Sequence, residues 1–109
     1  MSSGNDVDGV HGPVVLIAWF RGDVQQLTSA YDRAHKMIME RGGPPGELRH
    51  HCAVGEDGLY LIGVWQSEEL LRSRFASAQF RAAFAAAGFP PMESVDISVL
   101  RLHAIEPPL

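Results

Sequence analysis

Seven apolar residues in a row, VVLIAWF at Val14–Phe20, open the patterned part of the chain. β-Branched and aromatic side chains at both parities predict a strand covered on both faces. Gly22-Asp23 breaks the run, and Asp23 with Gln26 has the spacing of a capping box. Val24, Leu27, Tyr31, Ala34 and Ile38 then recur at intervals of three and four, an apolar stripe along one helix. Arg41-Gly42 supplies a basic last turn and a stop, and GGPPGE over 42–47 must be a loop. Leu48–Val54 and Leu59–Trp65 read as two strands joined by the turn GEDG. Ser67 is a good N-cap for a following helix, with Glu68 and Glu69 at its positive end. In that helix Leu71, Phe75 and Ala78 share a face, whereas Phe80 and Phe84 lie roughly opposite. One straight helix would expose large aromatics, so a break is predicted near Ala76–Ala78. Gly88 and FPP end the segment, and Val95–Ile105 is predicted as a last strand, Val95, Ile97 and Val99 alternating with Asp96, Ser98 and Leu100.

The order β-α-β-β-α-β predicts an α+β, ferredoxin-like fold, an antiparallel four-stranded sheet with its helices on one face. Helices cover only one side of such a sheet. Yet Val15, Ile17 and Trp19 oppose Leu16, Ala18 and Phe20, and Tyr60, Ile62 and Val64 oppose Leu59, Leu61 and Trp65. A second face of that character exceeds the apolar patch a monomer normally exposes. It predicts a C2 homodimer with two sheets face to face, a dimeric α/β barrel.

Composition narrows the role. A chain of 109 residues suits one domain, expected over 13–109 after a loosely packed tail at 1–12. The tail has neither a positive n-region nor an apolar h-region, so no secretory signal is expected. A net charge of −4, with no basic cluster, speaks against nucleic acid and anionic membranes as partners. No apolar stretch reaches the ~20 residues that cross a bilayer. The single cysteine, Cys52, cannot form an internal disulfide, which fits a cytoplasmic location.

Candidate chemistry concentrates in LRHHCAV. Strand alternation puts His50 and Cys52 on one face with Leu48, and Arg49, His51 and Ala53 on the other. A metal site needs three or four convergent ligands, and neither C-x₂-C nor H-x₃-H spacing occurs. His50, Cys52 and His103 are the one set neighbouring strands would bring together, and no metal is expected. His50 or His51, facing a semi-apolar cavity, is suited to general acid–base work near neutral pH. The competing role is a histidine that orders the hairpin or the dimer seam. Cys52 fits a small buried hydrophobe better than a nucleophile, which needs a base and an electropositive setting. Trp65 and Trp19 are expected in the core or in a pocket wall, Trp65 favoured for the pocket by its place at the strand end, where an indole N–H needs a partner. Arg49, Arg21 and Arg101 emerge from strands or their ends, as rim charges or as partners of an anion.

VWQSEELLRSRF (64–75), followed by AAAGFPP and a terminal strand, resembles the dimeric α/β-barrel proteins. Within them it is most similar to antibiotic-biosynthesis-monooxygenase-like proteins, including an actinobacterial group of unassigned function. The resemblance implies a barrel closed across a dimer and a ligand pocket between sheet and helices in each protomer. Members include cofactor-free oxygenases of aromatic polyketides, haem-degrading oxygenases and lactone isomerases, so the fold leaves the function open. Trp65 matches the tryptophan that contributes to catalysis in the polyketide oxygenases. Those enzymes resemble each other in an asparagine four positions earlier and, in some, a tyrosine six later, where this sequence has Leu61 and Leu71. The tryptophan and histidine of the haem-degrading branch fall near Arg74 and Ala83. The expected function is binding of a small apolar or aromatic compound, with cofactor-free oxygenation or isomerisation if it is catalytic. A non-catalytic carrier or assembly protein is the alternative. His51 and His50 are the candidate catalytic residues, with Trp65, Tyr60, His103, Trp19 and Arg49 binding ligand; no cofactor is expected, since no nucleotide-binding glycine motif is present.

Overall fold

A computed structural model describes residues 12–109. The expected tail lies outside the described residues except for Gly12. The elements are β1 (Val14–Arg21), α1 (Val24–Met39), β2 (Glu47–Val54), β3 (Gly58–Trp65), α2 (Glu68–Ala76), α3 (Ala78–Ala87), a 3₁₀ turn at Met92–Ser94, and β4 (Asp96–Arg101). The four strands form one antiparallel sheet in the order β2-β3-β1-β4, the ferredoxin-like arrangement.

Local chemistry sets the helix ends. Asp23 caps α1 by accepting the Gln26 backbone N–H at 2.9 Å, and Ser67 caps α2 by accepting that of Leu70. Ser77 separates the two later helices, leaving the helical region with ψ of 126° while its hydroxyl accepts from Phe80 N–H. The change of axis turns Phe80 and Phe84 inward, so that they are buried as Leu71 is. Gly88 ends α3 in the left-handed region at φ of 97°.

The helices pack on one face of the sheet. Ala18, Phe20, Leu59 and Leu61 meet Leu27, Ala30, Ala34, Phe80 and Phe84 in the main core. Val14, Leu16, Trp65 and Leu71 form a smaller cluster at the far end of the sheet. Val15, Ile17, Trp19, Tyr60, Ile62 and Val64 occupy the opposite face, where Trp19 stacks on Tyr60 with centroids 5.7 Å apart.

Two strand expectations change. β4 stops at Arg101 rather than 105, because its partner β1 begins at Val14, directly across from Arg101. One further bond, Leu102 N–H to Pro13 O at 3.0 Å, ends the ladder; Pro13 has no N–H to extend it. β2 carries a bulge between Glu47 and Arg49, so Leu48 pairs with no residue of β3. Among the described residues no helix is long and apolar enough to cross a membrane.

Candidate functional site

A cavity of about 320 Å³ lies between the sheet and the helices. The sheet contributes Leu16, Leu61 and Trp65, and the helices α2 and α3 contribute Phe75, Phe80 and Phe84. Across from them, α1 presents Tyr31, His35 and Ile38. Tyr31, His35 and His50 stack, their ring centroids 5.4 to 6.1 Å apart. Aromatic walls of this kind fit a flat, unsaturated guest.

One line of polar groups crosses that apolar wall. The Tyr31 hydroxyl lies 2.7 Å from His50 Nε2, and His50 Nδ1 lies 2.9 Å from Glu47 Oε2. Glu47 is acceptor-only as a carboxylate, so Nδ1 carries the proton and Nε2 accepts from Tyr31. The bulge makes this possible. Glu47 and His50 are three residues apart, a separation that places side chains on opposite faces of a regular strand. The unpaired Leu48 restores Glu47 to the face of His50. Burial pushes the Tyr31 phenol up to about 12, and Cys52, Glu47 and Asp32 add to the rise. Tyr31 is therefore a neutral donor at neutral pH rather than a standing base. Burial, with help from Asp32, also pushes up the Cys52 thiol, which keeps it protonated and unreactive.

Two buried donors beside this line lack partners. The Trp65 indole N–H and the Arg74 Nε–H are both shielded from solvent, with no hydrogen-bond acceptor, and both residues line the cavity. Orphan buried donors are uncommon and often mark a place where a ligand completes the bonding. Gly63 allows this crowding. A Cβ at position 63 would sit 2.6 Å from Glu47 Oε2 and 3.1 Å from Trp65 Nε1. A side chain at position 63 would displace the Glu47 carboxylate and press on the indole, so only glycine leaves both where they are. Burial pulls the Arg74 guanidinium below its ordinary range and Glu47 opposes the shift; the group stays charged.

Of the residues singled out from sequence, His50 and Trp65 are brought together in the cavity. Arg49 borders it, but its guanidinium donates to the carbonyls of Pro107 at 2.7 Å and Pro108 at 3.2 Å. His51 pairs with Ile62 and is exposed on the opposite sheet face, with Trp19 and Tyr60. His103 lies beyond the end of β4 and is exposed. Among the described residues, no group of three or more His, Cys, Asp or Glu is placed to hold a metal ion, so His50, Cys52 and His103 do not form a ligand set. Tyr31, Glu47 and Arg74 were not among the expected site residues. Tyr31 reads as one member of a helical stripe, and Glu47 has the wrong parity until the bulge is known.

Solved structures with the same architecture place this geometry in context. SnoaB from Streptomyces nogalater, a cofactor-independent oxygenase, matches with a TM-score of 0.64 at 17% identity, over 88% of this chain and 98% of its own. ActVA-Orf6 of Streptomyces coelicolor, a monooxygenase in complex with nanaomycin D, matches with 0.62 at 18% identity over 94% and 96%. Rv0793 of Mycobacterium tuberculosis matches with 0.64 at 18% identity over 87% and 99%. The chain shares the fold of these proteins. No family model and no curated protein matches the sequence.

Proposed function

We propose that the protein binds a hydroxylated, planar aromatic compound in this cavity and removes a proton from it to begin a cofactor-free oxygenation. The reading is carried by the Tyr31–His50–Glu47 line set into an otherwise aromatic wall. A substrate hydroxyl gives its proton to Tyr31 Oη as the Tyr31 proton passes to His50 Nε2. The imidazolium so formed is held by the Glu47 carboxylate, whose side chain is only 14% exposed. A synchronous transfer avoids a free tyrosinate, which burial disfavours. The Trp65 N–H, which has no partner of its own, donates to the substrate oxyanion in this scheme. The electron-rich anion then reduces dioxygen. A ring methylene becomes a carbonyl, one oxygen atom entering the product and the other leaving as water with the two hydrogens. The description of SnoaB as cofactor-independent supports a direct reaction of this kind.

The test is oxygen consumption with a hydroxylated anthrone. One ketone should form per dioxygen consumed, well above the rate in buffer, and Glu47→Gln should slow it by about tenfold or more. Turnover no faster than buffer, with no binding of the quinone product, would rule the reading out. An isomerised product without oxygen uptake would keep the proton transfer and remove the oxygenation.

The uncovered sheet face supports a homodimer as part of the same proposal. Ile17 and Ile62 pair at its centre, and Leu100, 52% exposed, extends it. A second copy laid on this face would close the two sheets into a barrel. Sedimentation should give a dimer at micromolar concentration, and Ile62→Lys should shift it to monomer by burying an unpaired charge. A wild-type protein that sediments as a folded monomer would remove the barrel.

A further inference from the structure

Arg74 differs from the other cations of the described residues: Lys36, Arg41 and Arg101 are exposed to water, and the rest have acceptors. Arg21 pairs with Asp96, Arg72 with Glu68, and Arg33 donates twice to the Ala87 carbonyl. Arg81 donates to Phe75 O at 2.9 Å, and Arg49 to two proline carbonyls. Arg74 is half-buried, its Nε–H has no acceptor, and among the described residues no carboxylate lies within ion-pair distance of it. Its guanidinium instead lies over the Phe80 ring, 4.7 Å from the centroid. An Nε–H withdrawn from water without an acceptor is unfavourable unless something else supplies one.

The surroundings show where that acceptor would come from. A second cavity, about 640 Å³, runs from the last turn of α1 past Pro45 to the outer side of α3, lined by Arg41 and Gln79 among others. Ile38, Gly43, Arg74 and Phe80 belong to both cavities. Arg74 thus stands at the join, with an aromatic chamber on one side and on the other a mostly apolar groove whose remaining polar side chains are Arg41 and Gln79. Its planar fork of donors suits a carboxylate held through two parallel bonds.

We infer that the natural compound carries a carboxylate on its ring system or on a short arm, bound by Arg74 at the join of the two cavities, with the ring facing Trp65 and His50. The inference rests on the proposed aromatic-binding function and adds the charge of the substrate to it. Glu47 sits near the same guanidinium but outside ion-pair distance, and its Oε2 is taken up by His50. Arg41 extends the positive field toward solvent and gives an acidic arm a direction in which to run.

Two probes test this, a dihydroxyanthraquinone bearing a ring carboxylate and the same ring system without it, titrated by absorbance against the full-length protein. Wild type should bind the carboxylated compound about tenfold to a hundredfold more tightly. Arg74→Gln should erase that preference, the carboxylated compound losing about tenfold or more relative to the uncharged one. Arg74→Lys should keep part of the preference, since the charge remains but the fork is lost. Thermal unfolding of each variant shows whether the guanidinium's contact with Phe80 was holding the fold. Equal binding of both probes by wild type, or equal loss of both in Arg74→Gln with the fold intact, would overturn the carboxylate assignment alone. Failure of wild type to bind either probe would overturn the aromatic-binding function, and this assignment with it.

Discussion

His50→Ala is expected to lower turnover of a hydroxylated anthrone by about a hundredfold to ten-thousandfold, the usual contribution of one positioned acid–base group. The loss should fall on the rate of the chemical step, with binding of the quinone product little changed. His50 touches the Tyr31 hydroxyl and the Glu47 carboxylate, and its own side chain is 32% exposed, so truncation leaves space without opening the core. His51→Ala provides the contrast. His51 is the next residue but lies on the other sheet face, and its removal should leave the rate within about twofold, as for substitutions away from a site. A steady-state comparison of the two variants decides the assignment. Equal losses would mean that the outer face, not the cavity, does the chemistry. A silent His50→Ala would leave the Tyr31–His50–Glu47 line as a structural device of the hairpin.

Phe20→Ala should cause the largest loss of stability, about 3–5 kcal/mol by the usual cost of deleting a buried aromatic ring. Phe20 is 1% exposed, its ring 4.9 Å from that of Phe89 and 6.2 Å from that of Phe84. It holds β1, α3 and the segment after α3 together. A domain stable by roughly 5–15 kcal/mol would keep only a narrow margin. Urea unfolding followed by near-ultraviolet circular dichroism should show a lower midpoint, and Phe20→Leu should recover more than half of the loss. A change below about 1 kcal/mol would mean that the aromatic cluster repacks freely. Phe20 also borders the cavity, so the variant should bind aromatic probes less selectively as the chamber widens.

Much of the fold can be read from the spacing of apolar residues. The opposite placement of Phe80 and Phe84 against Leu71 requires a break, and Ser77 provides it. The two parities of β1 and β3 are divided as their patterns imply, Leu16, Ala18 and Phe20 toward the helices and Val15, Ile17 and Trp19 away. Strand ends are less legible. The apolar residues after Arg101 resemble a continuing strand, yet a strand exists only where a neighbour supplies donors and acceptors, and among the described residues the pairing with β1 ends at Val14, with one further bond to Pro13.

The site divides along a similar line. A strand histidine beside a tryptophan-ended strand is visible in LRHHCAV and GLYLIGVW, and His50 and Trp65 do share the cavity. Parity rules for a regular strand assign Glu47 to the wrong face, because one unpaired residue reverses every side chain before it. Tyr31 looks like packing because helical periodicity counts its ring and says nothing of its hydroxyl. Arg74 looks like an ordinary charge, since nothing in its neighbours reveals that every carboxylate nearby is already engaged or out of reach.

By itself, then, the sequence determined the order of elements, their capping, the face each strand offers the helices and the excess of apolar surface on the other. Those are consequences of periodicity, which is local. The tertiary structure alone decided that Glu47, His50 and Tyr31 form one hydrogen-bonded line, that Gly63 leaves room for it, and that Arg74 is left without an anion. Each depends on distances between segments far apart in the chain, and such distances are settled only when register and packing are complete.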